Sequence, residues 1–245
     1  MTETLLKNGF RIELEEGLFL RGEVTAIEDR NAKPVLIVSH GFRGHKDWGF
    51  WPYVSDWFAE RGFYTVRFDF SRIGAKSSGL NDKLVQESST FGRELLDLGA
   101  VFSAITHDRL PLATLADPER IYLLGHSRSA ASCLVFAAEH SEVRKIVAWN
   151  GGSVPQPDLN GGSSEAAVDD WVRNRERYDI PARLAALQFR LSSSKPAATQ
   201  TGSSKRTGRS AIRRRIRRSF QSPAPIIRSA YPILMKALLR TSMSR

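Results

Sequence analysis

The sequence lacks several features, and each absence limits the functions to be considered. Its only cysteine is Cys133, so no disulfide can form within the chain, and we expect a reducing, cytoplasmic location. No apolar run is long enough to cross a membrane, and the first residues do not resemble a secretory signal. Neither a metal-site spacing nor a phosphate-binding loop is present. We therefore predict no metal and no other cofactor.

Acidic residues are missing from one part of the chain only. All 26 Asp and Glu precede position 191, whereas residues 191–245 contain 13 Lys and Arg. The net charge of +10 therefore comes from this last segment, and residues 1–190 are those of an ordinary, mildly acidic domain.

The basic segment 191–245 has two interpretations. It is either an arm for nucleic acid or an anionic membrane surface, or the product of a frameshift or truncation. The change of composition is abrupt and follows Leu187–Leu191, where a strand-like pattern begins. Low-complexity basic stretches usually stay disordered, so we favour the second interpretation and expect residues 191–245 to be disordered or frameshifted.

The remaining sequence alternates between strand patterns and helix patterns. Such alternation, with several continuous apolar runs, predicts an α/β fold with a doubly wound, mostly parallel sheet. The first two strands predict an antiparallel hairpin at a sheet edge. Strands are predicted over 10–14, 18–24, 34–39, 64–70, 121–124 and 145–150, helices over 51–61, 89–106, 130–136 and 165–178, and a loop over 71–79.

The central motif is Gly125-His126-Ser127-Arg128-Ser129, which lies between a predicted strand and a predicted helix. This is the layout of a nucleophile elbow, with Ser129 in place of the final glycine. The tight strand-to-helix turn requires small residues two positions on either side of the serine, which Gly125 and Ser129 satisfy. We predict that Ser127 is a nucleophile exposed at the end of the sheet, facing the first amides of the helix.

A second loop follows the buried strand 34–39 and contains His40, Gly41 and Phe42. One of its amides is predicted to donate to an oxyanion, with the Arg128 amide as the second donor. His40 is a candidate base. A histidine before a glycine turn more often shapes the loop through a hydrogen bond, and we favour that role.

Asp69 ends the strand 64–70, so it falls at the same edge of the sheet as the two loops. A carboxylate there resembles the acid of a catalytic triad. We expect Asp69 instead to shape the loop 71–79 that follows its own strand.

Three motifs occur in order: Val38-Ser39-His40-Gly41-Phe42, Phe68-Asp69-Phe70-Ser71 and Gly125-His126-Ser127-Arg128. With them the chain resembles the α/β-hydrolase superfamily, most closely its bacterial esterase-like or serine-aminopeptidase-like serine hydrolases. The resemblance implies cleavage of a small ester or amide through an acyl-enzyme on Ser127. It also implies an oxyanion hole formed by the backbone amides of Phe42 and Arg128, and gives no role to the Arg128 side chain.

The resemblance also divides the chain. Residues 1–153 are expected to form the hydrolase core up to its sixth strand, residues 154–190 a cap or connecting segment, and residues 191–245 the basic tail. The later strands of the fold are therefore expected to be incomplete.

The catalytic triad is not complete in the sequence. In this superfamily the order is serine, acid, histidine, but no histidine follows position 140, and the acids after Ser127 lie in the cap-like segment. We expect the tight turn to direct the His126 side chain away from Ser127. The triad acid and base stay unassigned, and an inactive member of the superfamily is the alternative. The histidines are His40, His45, His107, His126 and His140, and the later acids in question are Asp158, Asp169, Asp170 and Asp179.

Overall fold

Six strands form one sheet within residues 4–183, the part of the chain that the computed structural model describes. The order across the sheet is β1-β2-β4-β3-β5-β6. The basic segment 191–245 and the strand-like pattern at 187–191 lie outside the described residues. The strands are β1 (Leu5–Glu13), β2 (Phe19–Ile27), β3 (Lys33–Ser39), β4 (Tyr64–Asp69), β5 (Ala116–His126) and β6 (Val143–Trp149).

The helices follow the strands in the alternation that the sequence predicts. They are α1 (Trp51–Ala59), α2 (Ser71–Ser77), α3 (Asp82–Glu87), α4 (Phe91–Thr106), α5 (Arg128–Glu139) and α6 (Glu165–Asn174). Two short 3₁₀ turns lie at Glu15–Gly17 and Ala113–Leu115. None of the helices in the described part combines the length and the apolar character needed to cross a bilayer.

The predicted edge hairpin is confirmed. β1 pairs antiparallel with β2 from Leu5 opposite Ile27 to Glu13 opposite Phe19, and β1 has no second neighbour among the strands of residues 4–183. β2 is also antiparallel to β4, whereas β4, β3, β5 and β6 run parallel. The sheet is thus mostly parallel, with an antiparallel edge.

The strand β3 occupies the middle of the sheet, and all seven of its residues are buried. It pairs in parallel with β4 on one side and β5 on the other. A strand buried on both faces has no polar alternation, which explains the continuous apolar run from which it was predicted.

Helices cover both faces of the sheet. Successive side chains of a strand point to opposite faces. Ile37 of β3 packs in one buried cluster with Leu98 of α4 and Phe136 of α5. Thr65 of β4 points to the other face, where its hydroxyl donates to the Ser55 carbonyl of α1 at 3.3 Å. This arrangement confirms the predicted doubly wound α/β class.

One predicted loop is wrong: residues 71–79 contain the helix α2. Its N-cap position, Phe70, offers no side-chain acceptor. The acceptor comes from α4, where Asp97 Oδ2 accepts one hydrogen bond from the Ser71 amide and one from the Ser71 hydroxyl, both at 2.8 Å. A cap supplied 26 residues later in the chain leaves no local signal in the sequence, so the segment was assigned to a loop.

The described part of the cap-like segment packs against the start of α4. Asp170 of α6 accepts from the Gly92 amide at 3.0 Å and from the Tyr178 hydroxyl at 2.8 Å. The Tyr178 ring contacts Phe91 with ring centroids 4.8 Å apart. The predicted polar helix in this segment is present but ends at Asn174, four residues early.

Candidate functional site

The two loops singled out from the sequence leave neighbouring strands in opposite directions. The chain passes from β3 toward α1 on one face of the sheet and from β5 into α5 on the other. In doubly wound sheets this divergence opens a crevice at the carboxyl ends of the strands. His40–Gly44 and Ser127 both lie there, which makes the crevice the candidate site.

Ser127 has a strained backbone. Its φ is 55° and its ψ is −122°, and it is the N-cap residue of α5. A positive φ in such a region costs a residue other than glycine about 1–3 kcal/mol and persists only when the surroundings enforce it. The Ser127 amide donates to the Trp149 carbonyl at the end of β6 at 2.9 Å, so the neighbouring strand helps to hold the turn.

Two glycines leave the space that this turn requires. A Cβ on Gly125 would lie 2.3 Å from the Ser129 carbonyl oxygen, and one on Gly151 would lie 1.9 Å from the Ser127 carbonyl oxygen. Backbone atoms cannot yield at such distances as a flexible side chain can. Gly125 was predicted for this reason. Gly151 was not, because it approaches the turn from the end of β6, 24 positions later in the chain.

Ser129 occupies the position of the usual second glycine and is fully buried. Its hydroxyl donates to the carbonyl of His40. The substitution therefore adds a direct hydrogen bond between the elbow and the end of β3, which a glycine could not make.

The loop after β3 lies against Ser127. A Cβ on Gly41 would come within 3.2 Å of the Ser127 Cβ and 3.1 Å of His126 Nδ1. The Gly41 carbonyl accepts from the Gly44 amide at 3.0 Å, which closes the turn. A glycine at position 41 thus allows the loop to approach the serine closely.

Two backbone amides of the site are free to donate. Within residues 4–183, neither the Phe42 nor the Arg128 amide finds an acceptor of hydrogen-bond geometry. The Arg128 amide is among the first of α5, where the helix leaves donors unpaired and its dipole is positive. Two such donors beside a serine are suited to bind a developing oxyanion.

A buried ionic cluster lies beneath these amides. Glu94 of α4 is fully buried and accepts from Arg72 Nη1 at 2.6 Å and from the Ser132 hydroxyl at 2.6 Å. Arg128 Nε lies 3.2 Å from the same carboxylate. Burial lowers the pKa of the Arg72 guanidinium, and the Glu94 charge opposes that shift.

The Phe42 ring is in contact with both guanidinium groups of this cluster. The Arg128 guanidinium carbon lies 4.5 Å from the ring centroid, and that of Arg72 lies 5.1 Å from it. Arg128 Nη2 also donates to the Ser89 carbonyl at 2.8 Å. These contacts give the Arg128 side chain the structural role that the sequence left open.

His40 is directed into the loop and not toward a substrate. It is 1% exposed, and its Nδ1 donates to the Gly41 carbonyl at 2.8 Å. Burial lowers the pKa of His40 to about 3, so its ring is neutral at neutral pH. This contact lies within the loop after β3, and the loop-shaping role favoured for His40 stays a prediction.

Asp69 contacts a different loop from the one expected. Its Oδ1 accepts from the Lys46 amide at 2.5 Å, in the segment after β3, and lies 3.6 Å from His40 Nε2. The expectation that Asp69 shapes the loop 71–79 is therefore wrong, because the carboxylate turns across the sheet edge toward β3. Burial raises the pKa of Asp69.

His126 points into an aromatic cluster beside the elbow. Its ring centroid lies 5.5 Å from that of Trp51, 5.9 Å from that of Trp149 and 6.3 Å from that of Phe50. Burial lowers the pKa of His126, and its Nδ1 has no hydrogen-bond partner among the described residues. The ring thus turns away from the nucleophile, as expected for so tight a turn.

Over positions 4–183, no side chain is hydrogen-bonded to the Ser127 hydroxyl. His140 caps the far end of α5 and stacks on Phe136 with ring centroids 3.9 Å apart. In the same part of the chain, no three His, Cys, Asp or Glu side chains are grouped as metal ligands.

Cys133 does not contribute to the site. It is fully buried, and burial raises the pKa of its thiol to about 12. The packed thiol expected from its place among small helical residues matches this environment.

Of the comparisons with known proteins, only the one with solved structures finds matches. No protein-family profile matches the sequence. No curated protein matches it either.

Several solved structures are similar in fold. S-formylglutathione hydrolase (FrmB) from Staphylococcus aureus aligns with a TM-score of 0.55 and 12% identity, over 77% of this chain and 73% of that protein. A proposed lipase from Sulfolobus solfataricus aligns with a TM-score of 0.50 and 16% identity, over 69% of this chain and 51% of that protein. Est1E from Butyrivibrio proteoclasticus aligns with a TM-score of 0.43 and 21% identity, over 58% of this chain and 50% of that protein.

The chain thus spans only about half the length of two of these three proteins. Identities of this size show a shared fold and leave function to be argued from the site. The strand order, the strained serine and the structural similarity agree, and together they show that this chain has the α/β-hydrolase fold.

Proposed function

We propose that this chain is a serine hydrolase that cleaves a carboxylic ester or a short amide through an acyl-enzyme on Ser127. The observation that carries the proposal is the Ser127 backbone, held at φ 55° and ψ −122° between β5 and α5. Strained residues of this kind cluster at active sites. The fold of FrmB, a protein described as a hydrolase, supports the same reaction class.

In the proposed reaction, Ser127 Oγ attacks the carbonyl carbon of the substrate. The hydroxyl proton passes to a base, and the Phe42 and Arg128 amides stabilise the negative charge on the former carbonyl oxygen. Collapse of this intermediate, with the proton returned from the base to the leaving group, expels the alcohol or amine and leaves an ester on Ser127. Water then hydrolyses that ester, which releases the carboxylic acid and restores the serine hydroxyl. Each oxyanion donor contributes about 10²–10³-fold in rate in enzymes of this type.

The proposal assigns no residue as the proton acceptor. His40 donates its Nδ1 proton to the Gly41 carbonyl, and His126 faces an aromatic cluster. Because no described side chain is hydrogen-bonded to Ser127 Oγ, we also test a second candidate: a catalytically inactive hydrolase-like protein.

Hydrolysis of p-nitrophenyl acetate separates the two candidates. We expect release of p-nitrophenol by the wild type, none above background by Ser127→Ala, and an unchanged rate in Ser141→Ala, which alters an exposed serine after α5. Equal rates in the wild type and Ser127→Ala would exclude the acyl-enzyme and favour the second candidate.

A further inference from the structure

The buried cluster beneath the oxyanion loop has contacts that a purely structural ion pair does not need. Arg72 is 2% exposed, yet its guanidinium reaches two backbone carbonyls of the loop after β3. Its Nη2 donates to the Gly41 carbonyl at 3.4 Å, and its Nε donates to the Phe42 carbonyl at 3.3 Å. One planar side chain thus spans two consecutive peptide groups.

The contacts at the Gly41 carbonyl fix the direction of the Phe42 amide. This oxygen accepts from Arg72, from His40 Nδ1 at 2.8 Å and from the Gly44 amide at 3.0 Å. In a trans peptide the C=O and the next N–H point in opposite directions. The Phe42 N–H is therefore directed away from Arg72 and stays free of acceptors in the described part of the chain.

The second free amide is connected to the same cluster. Arg128 contributes its backbone N–H at the start of α5, and its side chain returns to Glu94 with Nε 3.2 Å from Oε1. Ser132, one turn further along α5, donates to Glu94 Oε2 at 2.6 Å. A single carboxylate therefore accepts hydrogen bonds from Ser132 of α5 and from Arg72, and lies within ion-pair distance of Arg128.

We propose that Glu94 and Arg72 are positioning residues for the oxyanion hole, because Glu94 joins the arginine that orients the Phe42 amide to the helix that presents the Arg128 amide. Neither side chain is expected to touch the substrate. The inference rests on the proposed function of Ser127 and adds to it how the two donors keep their mutual orientation. A misplacement of about 1 Å in such a site can lower a rate by about 100-fold.

Arg72→Lys is the first test, because lysine keeps the positive charge beside Glu94 but cannot span two carbonyls. The matched control is Arg93→Lys on the same helix as Glu94. Arg93 pairs with Asp97 at 3.0 Å, is mostly buried, and has no contact with the loop or with Ser127 among the described residues. Two quantities are measured: the rate of fluorophosphonate labelling of Ser127, and the ¹H–¹⁵N resonance of the Phe42 amide.

We expect Arg72→Lys to label about 10–100-fold more slowly than the wild type and to shift the Phe42 resonance, whereas Arg93→Lys matches the wild type in both. With p-nitrophenyl acetate, kcat should fall while KM changes little, because the loss concerns the transition state. Glu94→Gln, measured where it is folded, should shift the Phe42 and Arg128 resonances together.

Two outcomes would overturn the inference: an Arg72→Lys variant that labels at the wild-type rate, or an Arg93→Lys control that slows labelling as much as Arg72→Lys does. A wild type that does not label at all would contradict the proposed function instead. The positioning role is then decided by the amide spectrum alone, where an unchanged Phe42 resonance in Arg72→Lys refutes it.

Discussion

The candidate site has two halves: the proposed oxyanion donors and the groups that would accept the proton of Ser127. The described residues supply more of the first half than of the second. On the proposed oxyanion side, two amides that find no acceptor within residues 4–183 are supported by a buried cluster that ties the loop after β3 to α5 through Glu94. On the proton-transfer side, His40 is bonded to the Gly41 carbonyl, His126 lies among aromatic rings, and neither is hydrogen-bonded to Ser127 within residues 4–183. The described residues thus contain the proposed oxyanion donors without a hydrogen-bonded proton acceptor for Ser127.

The difference between the two halves follows from the structural elements that supply each of them. The proposed oxyanion donors lie in the loop after the central strand β3 and at the start of α5, and their supports come from helices packed on the same core. A proton acceptor must instead approach Ser127 from outside the elbow, because the turn directs the adjacent His126 ring toward Trp51 and Trp149. Packing alone places the proposed oxyanion donors, whereas a proton acceptor for Ser127 needs a separate segment.

The largest effect is expected from a substitution that disrupts the elbow, which both halves of the site share. In Gly125→Ala the new Cβ would lie 2.3 Å from a backbone oxygen, so we expect a loss of about 3 kcal/mol or more in the free energy of unfolding. Gly99→Ala is the matched control, since its Cβ would meet only the Phe136 ring at 3.7 Å, within α4. We expect that control to be neutral or stabilised by up to about 1 kcal/mol. Thermal unfolding measures both, and similar melting temperatures would contradict the account of the elbow.

The second prediction concerns only the buried cluster on the proposed oxyanion side of the site. Glu94→Gln leaves the Arg72 and Arg128 guanidinium groups without their shared anion, and we expect it to cost about 3–5 kcal/mol. Adding Arg72→Met should recover part of that loss, because one uncompensated buried charge is removed. Urea unfolding of the single and double variants gives the coupling. A double variant less stable than Glu94→Gln would show that the cluster is not held by charge compensation.

The third effect concerns the histidine side and depends on pH. Burial lowers the pKa of folded His40 to about 3 from an unfolded value near 6.5, so only the unfolded chain binds its proton between these values. Stability from this group is therefore complete above about pH 6.5 and is lost as the pH falls toward 3. Between pH 7 and pH 4 we expect a loss of about 3 kcal/mol.

His40→Asn should flatten this acid dependence, because asparagine does not titrate and its amide can still donate to the Gly41 carbonyl. Unfolding free energies of the wild type and the variant at pH 7 and pH 4 give the difference. If the two lose the same free energy over this interval, His40 is not the buried neutral group described above.

The smallest expected effect tests the hydrogen bond between the two loops. Ser129→Ala removes only the hydroxyl that donates to the His40 carbonyl, and we expect a loss of about 1 kcal/mol in the free energy of unfolding. Ser129→Gly should lose about 1 kcal/mol more, because glycine also weakens the first turn of α5. Urea unfolding orders the three proteins, and a Ser129→Gly variant as stable as the wild type would show that the hydroxyl adds nothing.

Local patterns were enough to predict the strands, the elbow and the loop after β3. The run 34–39, the glycine at 125 and the small residues after Ser127 each act through neighbours in the sequence. The helix α2 was missed because its cap comes from Asp97. The role of Asp69 was misplaced because its partner, Lys46, lies 23 positions earlier.

The supports of the oxyanion loop could not be predicted for a related reason. Glu94 and Arg72 are separated by 22 positions and Glu94 and Ser132 by 38, and nothing in the local pattern of either residue marks them as partners. A buried Glu on the apolar face of α4 was the one available signal, because a charge at such a position requires a partner.

The measurement that tests the central claim most directly is the intact mass of the protein after reaction with a fluorophosphonate, followed by peptide mapping. The account predicts one adduct per chain, located on Ser127 and absent from Ser127→Ala. An unmodified wild type under conditions where the protein is folded, or an adduct that persists in Ser127→Ala, would contradict the assignment of Ser127 as an activated nucleophile.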